Sequence, residues 1–451
     1  MFVQPRSRAA LVVLAATIFP GLAVAAPALD LAALLRHAAK QNPELKAAHA
    51  RWQGTRHASI AARQWPEPTV SGGVFLRPVE TRVGPQRARI GLTVPVPWPA
   101  RLRLRGDAVL GQAVVERRRI DARLARLEAQ IRGPWARRSW LAQVAGWYAA
   151  QRRLLVNLEP SVLARLRVGR ATFADAQRLR LMIDGLADQV ASARDEIVAV
   201  EAELRARANL PVDAQLAAGG FEADPFAGNA PPTAEAFLPA LAKQPDVLVG
   251  DAAIAAASAG IRVAETRGRP DFGVGIDWIM VGAARMADVA DSGNDALMLR
   301  ASVKLPVWRG SYDAQVDVAR AKRREATASR EATLRSAEAR LAKLLYVLRD
   351  ARRKRHLFAG QLVPRAQSAL LTVVQGYVNG RAAFQSVVEL QRQLLVYQVG
   401  LSTADRRRVE AQAQLEALLA APLGSFAAQK NTPAKKPTAK HSAEKNKEVS
   451  R

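Results

Sequence analysis

Apolar residues recur along this chain with two different periods, and the change from one to the other marks out its elements. Between Asp30 and about Arg63, Leu31, Leu34, Leu35, Ala38 and Ala39 follow helical spacing. The Gln41-Asn42-Pro43 step should offset that helix, because proline lacks a donor and constrains the residue before it. From Thr69 to Leu76 the period falls to two, with Val70, Gly72, Val74 and Leu76 on one side. After a Pro- and Gly-rich loop, Ile90, Leu92, Val94 and Val96 alternate again. This predicts an antiparallel strand hairpin over about 68–97. The succession then returns: a helix from about Ala234 to Arg267, alternation through Phe272, Val274, Ile276, Trp278 and Met280, and a last alternating run through Leu297, Leu299, Ala301, Val303 and Leu305. The second strand hairpin covers about 271–306.

Long helical patterns follow each hairpin, from about Arg101 to Arg167 and from Ser311 to Tyr377. At roughly 1.5 Å per residue each spans on the order of 100 Å. Gly169 follows Trp98 by 71 residues and Pro211 follows Gly169 by 42, while Gly380 follows Trp308 by 72 and Pro422 follows Gly380 by 42. Such matched intervals imply duplication of a whole assembly. We therefore divide the chain into a first repeat over 26–217, with a helical hairpin over about 101–210 turning at Gly169, and a second over 218–423, with a helical hairpin over about 311–421 turning at Gly380. The glycines suit the left-handed caps that end outgoing helices. Pro134, Pro160 and Pro364 are expected to kink or locally unwind their helices.

Strands of nine or ten residues cross a bilayer when tilted near 45°. In the last two, one phase is apolar, while the other carries Gly273, Gly275 and Asp277 opposite Arg300, Ser302 and Lys304. Asp277, Arg300, Ser302 and Lys304 are thus candidates for a water-filled lumen. Four strands cannot close a barrel, and an open edge in lipid leaves backbone groups unpaired. Three identical chains would supply twelve. A soluble sandwich would need more large apolar residues to cover the strands than the surrounding helices offer.

The 451 residues carry a formal charge of +27, partly from a lysine-rich tail over 424–451 that should be disordered. Arginine is spread over the helices without a nucleic-acid-binding motif, so no nucleic acid is expected. Arg6 and Arg8, the apolar run Ala9–Val24 and Ala23-Val24-Ala25 have the form of a signal peptide over 1–25. No later segment reads as apolar enough for a membrane-spanning helix. Cysteine is absent, which removes disulfides, thiolate metal sites and an acylated N-terminal cysteine. The five histidines are scattered and Met280, Met286 and Met298 do not form a soft-metal motif, so neither a cofactor nor a bound metal is expected and an enzyme is not.

The opening Leu29-Asp30-Leu31 to Asn42-Pro43-Glu44-Leu45 and the segment Val168-Gly169-Arg170-Ala171-Thr172-Phe173-Ala174-Asp175 resemble the TolC-like outer-membrane factors of tripartite efflux systems. Val96-Pro97-Trp98-Pro99-Ala100-Arg101-Leu102, Leu305-Pro306-Val307-Trp308-Arg309-Gly310, Arg269-Pro270-Asp271-Phe272 and Ser292-Gly293-Asn294-Asp295 are similar to the heavy-metal, CusC/CzcC-like branch. The resemblance covers roughly 29–423. It implies a mainly α fold with a transmembrane β-barrel, in which long antiparallel helical hairpins form a periplasmic α-barrel and four strands per protomer contribute to a twelve-stranded trimeric barrel. It implies a homotrimer in the outer membrane that extends into the periplasm and works with a periplasmic adaptor (membrane fusion protein) and an RND-type inner-membrane pump. Heavy-metal cations are the implied cargo; organic compounds or type I secretion are the alternative in the same fold, and a soluble periplasmic scaffold is the alternative of another class.

By the same resemblance the helix tips hold the gate, with Gly169, Arg170 and Asp175 in the first copy and Gly380, Arg381, Ser386 and Glu389 in the second. Ser386 is neutral where the family carries an acid, so its gating bonds do not transfer. Three Glu389 carboxylates converging on an axis would raise one another's proton affinity and attract cations; the plainer reading pairs Glu389 with Arg392 on a helix surface. Arg170, Arg381, Phe173 and Phe384 would face an adaptor, or the two phenylalanines would staple their hairpins.

Overall fold

The computed structural model describes residues 28–428. The signal peptide expected over 1–25 lies outside the described residues, as does the expected tail from 429 onward, whereas the first residues of that tail, Gly424–Ala428, form a short helix. The chain opens with α1 (Leu31–Gln41), whose first turn is capped by Asp30 accepting from the Ala33 N–H at 2.7 Å. Asn42 ends α1 and caps α2 (Pro43–Ala61), accepting from the Leu45 N–H, while its amide donates to the Arg207 carbonyl at 2.8 Å. The Asn42-Pro43 step is therefore a break between two helices and a tie to a distant one.

Strands β1 (Thr69–Val74), β2 (Glu80–Thr81) and β3 (Gly84–Val96) precede α3 (Pro99–Arg167), which returns through α4 (Phe173–Ala208). An extended segment then leads through a short 3-10 turn at Ala234–Phe237 to α5 (Leu238–Leu241) and α6 (Pro245–Thr266). Strands β4 (Asp271–Val281) and β5 (Ala296–Lys304) follow, then α7 (Arg309–Leu357), wider π-type turns at Phe358–Leu362, α8 (Val363–Val378), α9 (Phe384–Leu419) and the short α10 (Gly424–Ala428). The sheet runs β1-β3-β4-β5, antiparallel throughout, with β2 paired to β3. The central β3–β4 pairing, with Gly91 opposite Asp277 and Val96 opposite Phe272, joins residues far apart in sequence.

Helices pack along their lengths: α3 lies against α2, α4, α6 and α9, and α7 against α6 and α9. One buried cluster near the helix tips brings Leu155, Leu158 and Val162 of α3 together with Leu179 and Ile183 of α4, Leu370 of α8 and Val387 of α9. Each such side chain contributes about 1.5–3 kcal/mol on full burial. The fold is mainly helical, with a small antiparallel sheet at one end of the helical hairpins.

Several expectations change. Helix α3 continues through Pro134 and Pro160 without unwinding, because its neighbours on several sides hold it. Near Pro364 the ladder does widen, at Phe358–Leu362, as a proline that cannot donate requires of the turn before it. The helix expected over 234–267 is three pieces, interrupted at Gln244-Pro245. Within that same stretch, 234–266, an 18-residue segment does have the apolarity of a membrane span, at mean hydropathy 1.6. Its apolarity comes from alanine and valine, small residues that let α6 pack between α3 and α7.

Candidate functional site

The sheet has one wholly apolar face and one mainly polar face, the latter also carrying Ile279, Ala296 and Met298. On one, Val70 and Val74 of β1, Ile90 and Leu92 of β3, Phe272, Val274, Ile276 and Trp278 of β4, and Leu297, Leu299 and Val303 of β5 all stand exposed, reaching 84% for Leu299. A contiguous apolar band on this scale marks an interaction surface rather than a solvated one. The other face carries Ser71, Arg89, Gly91, Thr93, Gly273, Gly275, Asp277, Arg300, Ser302 and Lys304. Strands β1 and β5 are the edges of the sheet within one chain.

The polar face holds a structure that the sequence reading missed. Asp277 lies on it as expected but is not open to water: its side chain has no exposed surface. Its carboxylate pairs with Arg89 of β3 at 2.7 Å and Arg300 of β5 at 3.5 Å, while Arg300 also donates to Thr93 Oγ1 at 2.9 Å. Glycine is required beneath this clamp, since a Cβ on Gly91 would stand 2.2 Å from Asp277 Oδ1 and one on Gly275 would meet Leu92 O at 2.9 Å. Ser302 sits over Gly273 with its hydroxyl 3.4 Å from the Gly273 carbonyl, and Lys304 lies in register with Asp271. The two glycines of β4 on this face, Gly273 and Gly275, were the available sign that long side chains cross this floor.

Where the sheet meets the helices, Arg101 in the first turn of α3 is buried. It pairs with Asp271, the first residue of β4, and donates to the carbonyls of Thr266 and Arg269 at 2.6 and 3.1 Å. Trp98 packs beside Phe272, and the Arg269 guanidinium stands 5.6 Å over the Trp98 ring.

At the far end both helical hairpins turn through the same cap. Gly169 and Gly380 have φ of 68° and 81°, and the N–H groups of Arg170 and Arg381 reach back to the carbonyls of Arg165 and Gly376. The turns then differ. Thr172 and Asp175 form a capping box, with the Asp175 carboxylate accepting from the Thr172 N–H at 3.0 Å, whereas Ala383 and Ser386 at the equivalent places form none. Asp175, the candidate gate acid, is thus occupied in holding its own helix start. Glu389, Ser386, Arg170 and Arg381 are exposed. Among the described residues no ion pair joins Glu389 to Arg392. Phe384 is 5% exposed and packs on Tyr377, but Phe173 is 68% exposed, so only the second phenylalanine staples its hairpin. The hairpins are tied together by Arg178 donating to Gln385 and by Arg165, which donates to the Val378 carbonyl and stands 4.6 Å over the Tyr377 ring. Burial raises the Tyr377 hydroxyl, and the Arg165 charge opposes it.

Midway along the helices, the segment after α4 is held by arginines. Arg132 pairs with Glu222 at 3.0 Å and with Glu416, and Arg352 pairs with Asp224 at 2.7 Å and donates to the Phe226 carbonyl. Desolvation raises the Glu222 carboxyl, with Arg132 opposing and Glu416 adding to the rise. A cleft of about 720 Å³ is lined in part by Arg137, Glu196, Arg406 and Glu410, which are bonded to one another in pairs. No group of His, Asp or Glu among the described residues is placed to hold a metal ion.

A family model described as outer membrane efflux protein matches residues 239–421. No curated protein matches the chain in sequence. Among solved structures, the outer membrane protein VceC of Vibrio cholerae superposes with a TM-score of 0.72 at 17% identity, covering 87% of this chain and 96% of that one. CusC gives 0.69 at 15% identity, covering 86% and 91%, and the open-state MtrE channel of Neisseria gonorrhoeae gives 0.67 at 17%, covering 87% and 89%.

Proposed function

The chain is TolC-like in fold and matches the outer membrane efflux protein family over residues 239–421, and on that premise we propose that it is the outer-membrane exit duct of a tripartite efflux system. Three copies would join β5 of one sheet to β1 of the next, giving a twelve-stranded barrel, and place their helical hairpins side by side in the periplasm. One observation carries this reading: an exposed apolar band on one face of a sheet whose other face is polar and whose two edges are unpaired within the chain. In lipid the band is favourably placed, but each open edge would leave backbone N–H and C=O groups unpaired, and identical neighbours would satisfy them.

The domain division follows from the same reading: an export signal over 1–25, repeats over 26–217 and 218–423, and a basic tail. The periplasmic adaptor would meet the turns at Gly169 and Gly380, with exposed Arg170, Arg381 and Phe173 as contacts, and an RND-type pump would drive the solute. Ser386 and Glu389 would line the aperture. For cargo, the strand-end segments around Pro97-Trp98 and Pro306-Val307-Trp308 support heavy-metal cations, with organic compounds or type I secretion as the rival in the same fold. Conductance of the purified protein in planar bilayers tests the duct, and the Glu389→Ala variant tests the aperture. Discrete channel openings are expected, with altered ion preference in the variant; a protein that never conducts would overturn the duct.

A further inference from the structure

The clamp on the polar face of the sheet has an unbalanced charge. Two guanidiniums, Arg89 and Arg300, close on one carboxylate, Asp277, which is fully buried between them, while the arginines keep 39% and 42% of their side-chain surface exposed. Asp277 therefore serves as an internal counter-ion that orients the two cations and offsets one of their two charges. One positive charge per chain is left facing outward at this level. The next charged residues on the same face do not cancel it: Lys304 adds a further cation, and Asp271 is taken by the buried Arg101. Among the remaining neighbours on the floor, Ser71, Thr93 and Ser302 are neutral hydroxyls able to donate, and Met298, opposite Asp277, and Ile279, opposite Arg89, carry no charge.

The site is built rather than incidental. Gly91 and Gly275 must lack side chains for Asp277 and Arg300 to lie flat across the sheet, and Thr93 Oγ1 fixes the Arg300 fork from below. Guanidinium groups held in place by a buried partner present their remaining N–H donors in a fixed fork, the arrangement that carboxylates, phosphates and other oxyanions match. From this geometry we propose that Arg89 and Arg300 form an anion-holding site on the inner wall of the barrel, repeated three times around the lumen, and that this section of the duct prefers anionic solutes. The site rests on the trimeric duct proposed above, since only there does the polar face line a lumen. A ring of cations in a low-dielectric wall raises the local concentration of anions and lowers that of free cations. Metal would then pass this level more readily as an oxyanion or an anionic complex than as a bare cation.

The test is the reversal potential of the purified trimer in planar bilayers under a potassium chloride gradient, compared among the natural protein, Arg300→Gln and Lys304→Gln. Arg300→Gln leaves Asp277 paired with Arg89, so folding is expected to survive. We expect chloride to be preferred over potassium in the natural protein, the permeability ratio to fall about two-fold or more in Arg300→Gln, and a smaller fall in Lys304→Gln. Added inorganic phosphate should reduce chloride current in the natural protein and less in Arg300→Gln. A channel that conducts but prefers potassium, or a ratio that Arg300→Gln leaves unchanged, overturns the site. A trimer that does not conduct at all overturns the duct instead. Should Arg300→Gln fail to assemble, Arg300→Lys decides: it keeps the charge but loses the fork, so anion preference should persist while the phosphate effect weakens, and loss of neither contradicts the proposal.

Discussion

Arg101 and Asp271 lock the first turn of α3 to the first residue of β4, and the same guanidinium holds the carbonyls of Thr266 and Arg269. One buried cation thus fixes where the sheet leaves the helices in both halves of the chain. Removing it leaves two carbonyls without a donor in a buried place. Arg101→Met should cost about 3 kcal/mol, read as a lower melting temperature in detergent. Asp271→Asn should cost less, because Asp271 is 40% exposed and Arg101 keeps both carbonyls.

Gly91 and Gly73 give a matched pair of tests for the clamp. A methyl on Gly91 would collide with Asp277 Oδ1 at 2.2 Å, whereas one on Gly73 meets nothing within 4 Å. Gly91→Ala should therefore destabilise the folded barrel by about 1–3 kcal/mol and reduce the heat-modifiable oligomer on gels. Gly73→Ala should leave it as it is.

Much of this architecture could be read from spacing. The period-two runs located β1, β3, β4 and β5 within a few residues, and the positions of Gly169 and Gly380 located both tips, because side-chain alternation and positive φ are local properties. The Asp277 clamp was not legible, since Arg89 and Asp277 are 188 positions apart and meet only through the β3–β4 register. The same holds for Arg101 with Asp271 and for Arg132 with Glu222. Unwinding at Pro134 and Pro160 does not occur, because a proline's cost to an isolated helix says nothing of the neighbours packed along α3. At the tips, the Thr172–Asp175 capping box was written in the sequence at the spacing such boxes require, but the resemblance drew Asp175 toward a gating role first.

Glu222 makes the helical region sensitive to pH with a defined sign. Desolvation raises its folded-state value above the unfolded one, so its contribution is full below the ordinary glutamate range, near 4.3, and is lost as pH rises through the raised value. Stability measured by thermal unfolding should fall over this interval, and Glu222→Gln should flatten that part of the profile. Arg132 keeps Glu416 as a partner in the variant. A steeper slope in Glu222→Gln would contradict the assignment.

The two tip glycines should respond almost alike to alanine. No atom lies within 4 Å of a Cβ at Gly169, and only Arg165 Nη2, at 3.4 Å, lies near one at Gly380. The cost is then the left-handed backbone itself, about 1–2 kcal/mol each. Chemical denaturation of Gly169→Ala and Gly380→Ala should show losses of that size, with the oligomer intact.

The sheet's open edges and exposed apolar band set the central claim, that the barrel exists only as an assembly of identical chains. Light scattering on the detergent-purified protein, with the detergent mass subtracted, measures this directly. Three times the mass of one chain is the result the account predicts. A single chain per micelle, or a monomer that stays in solution without detergent, would contradict it.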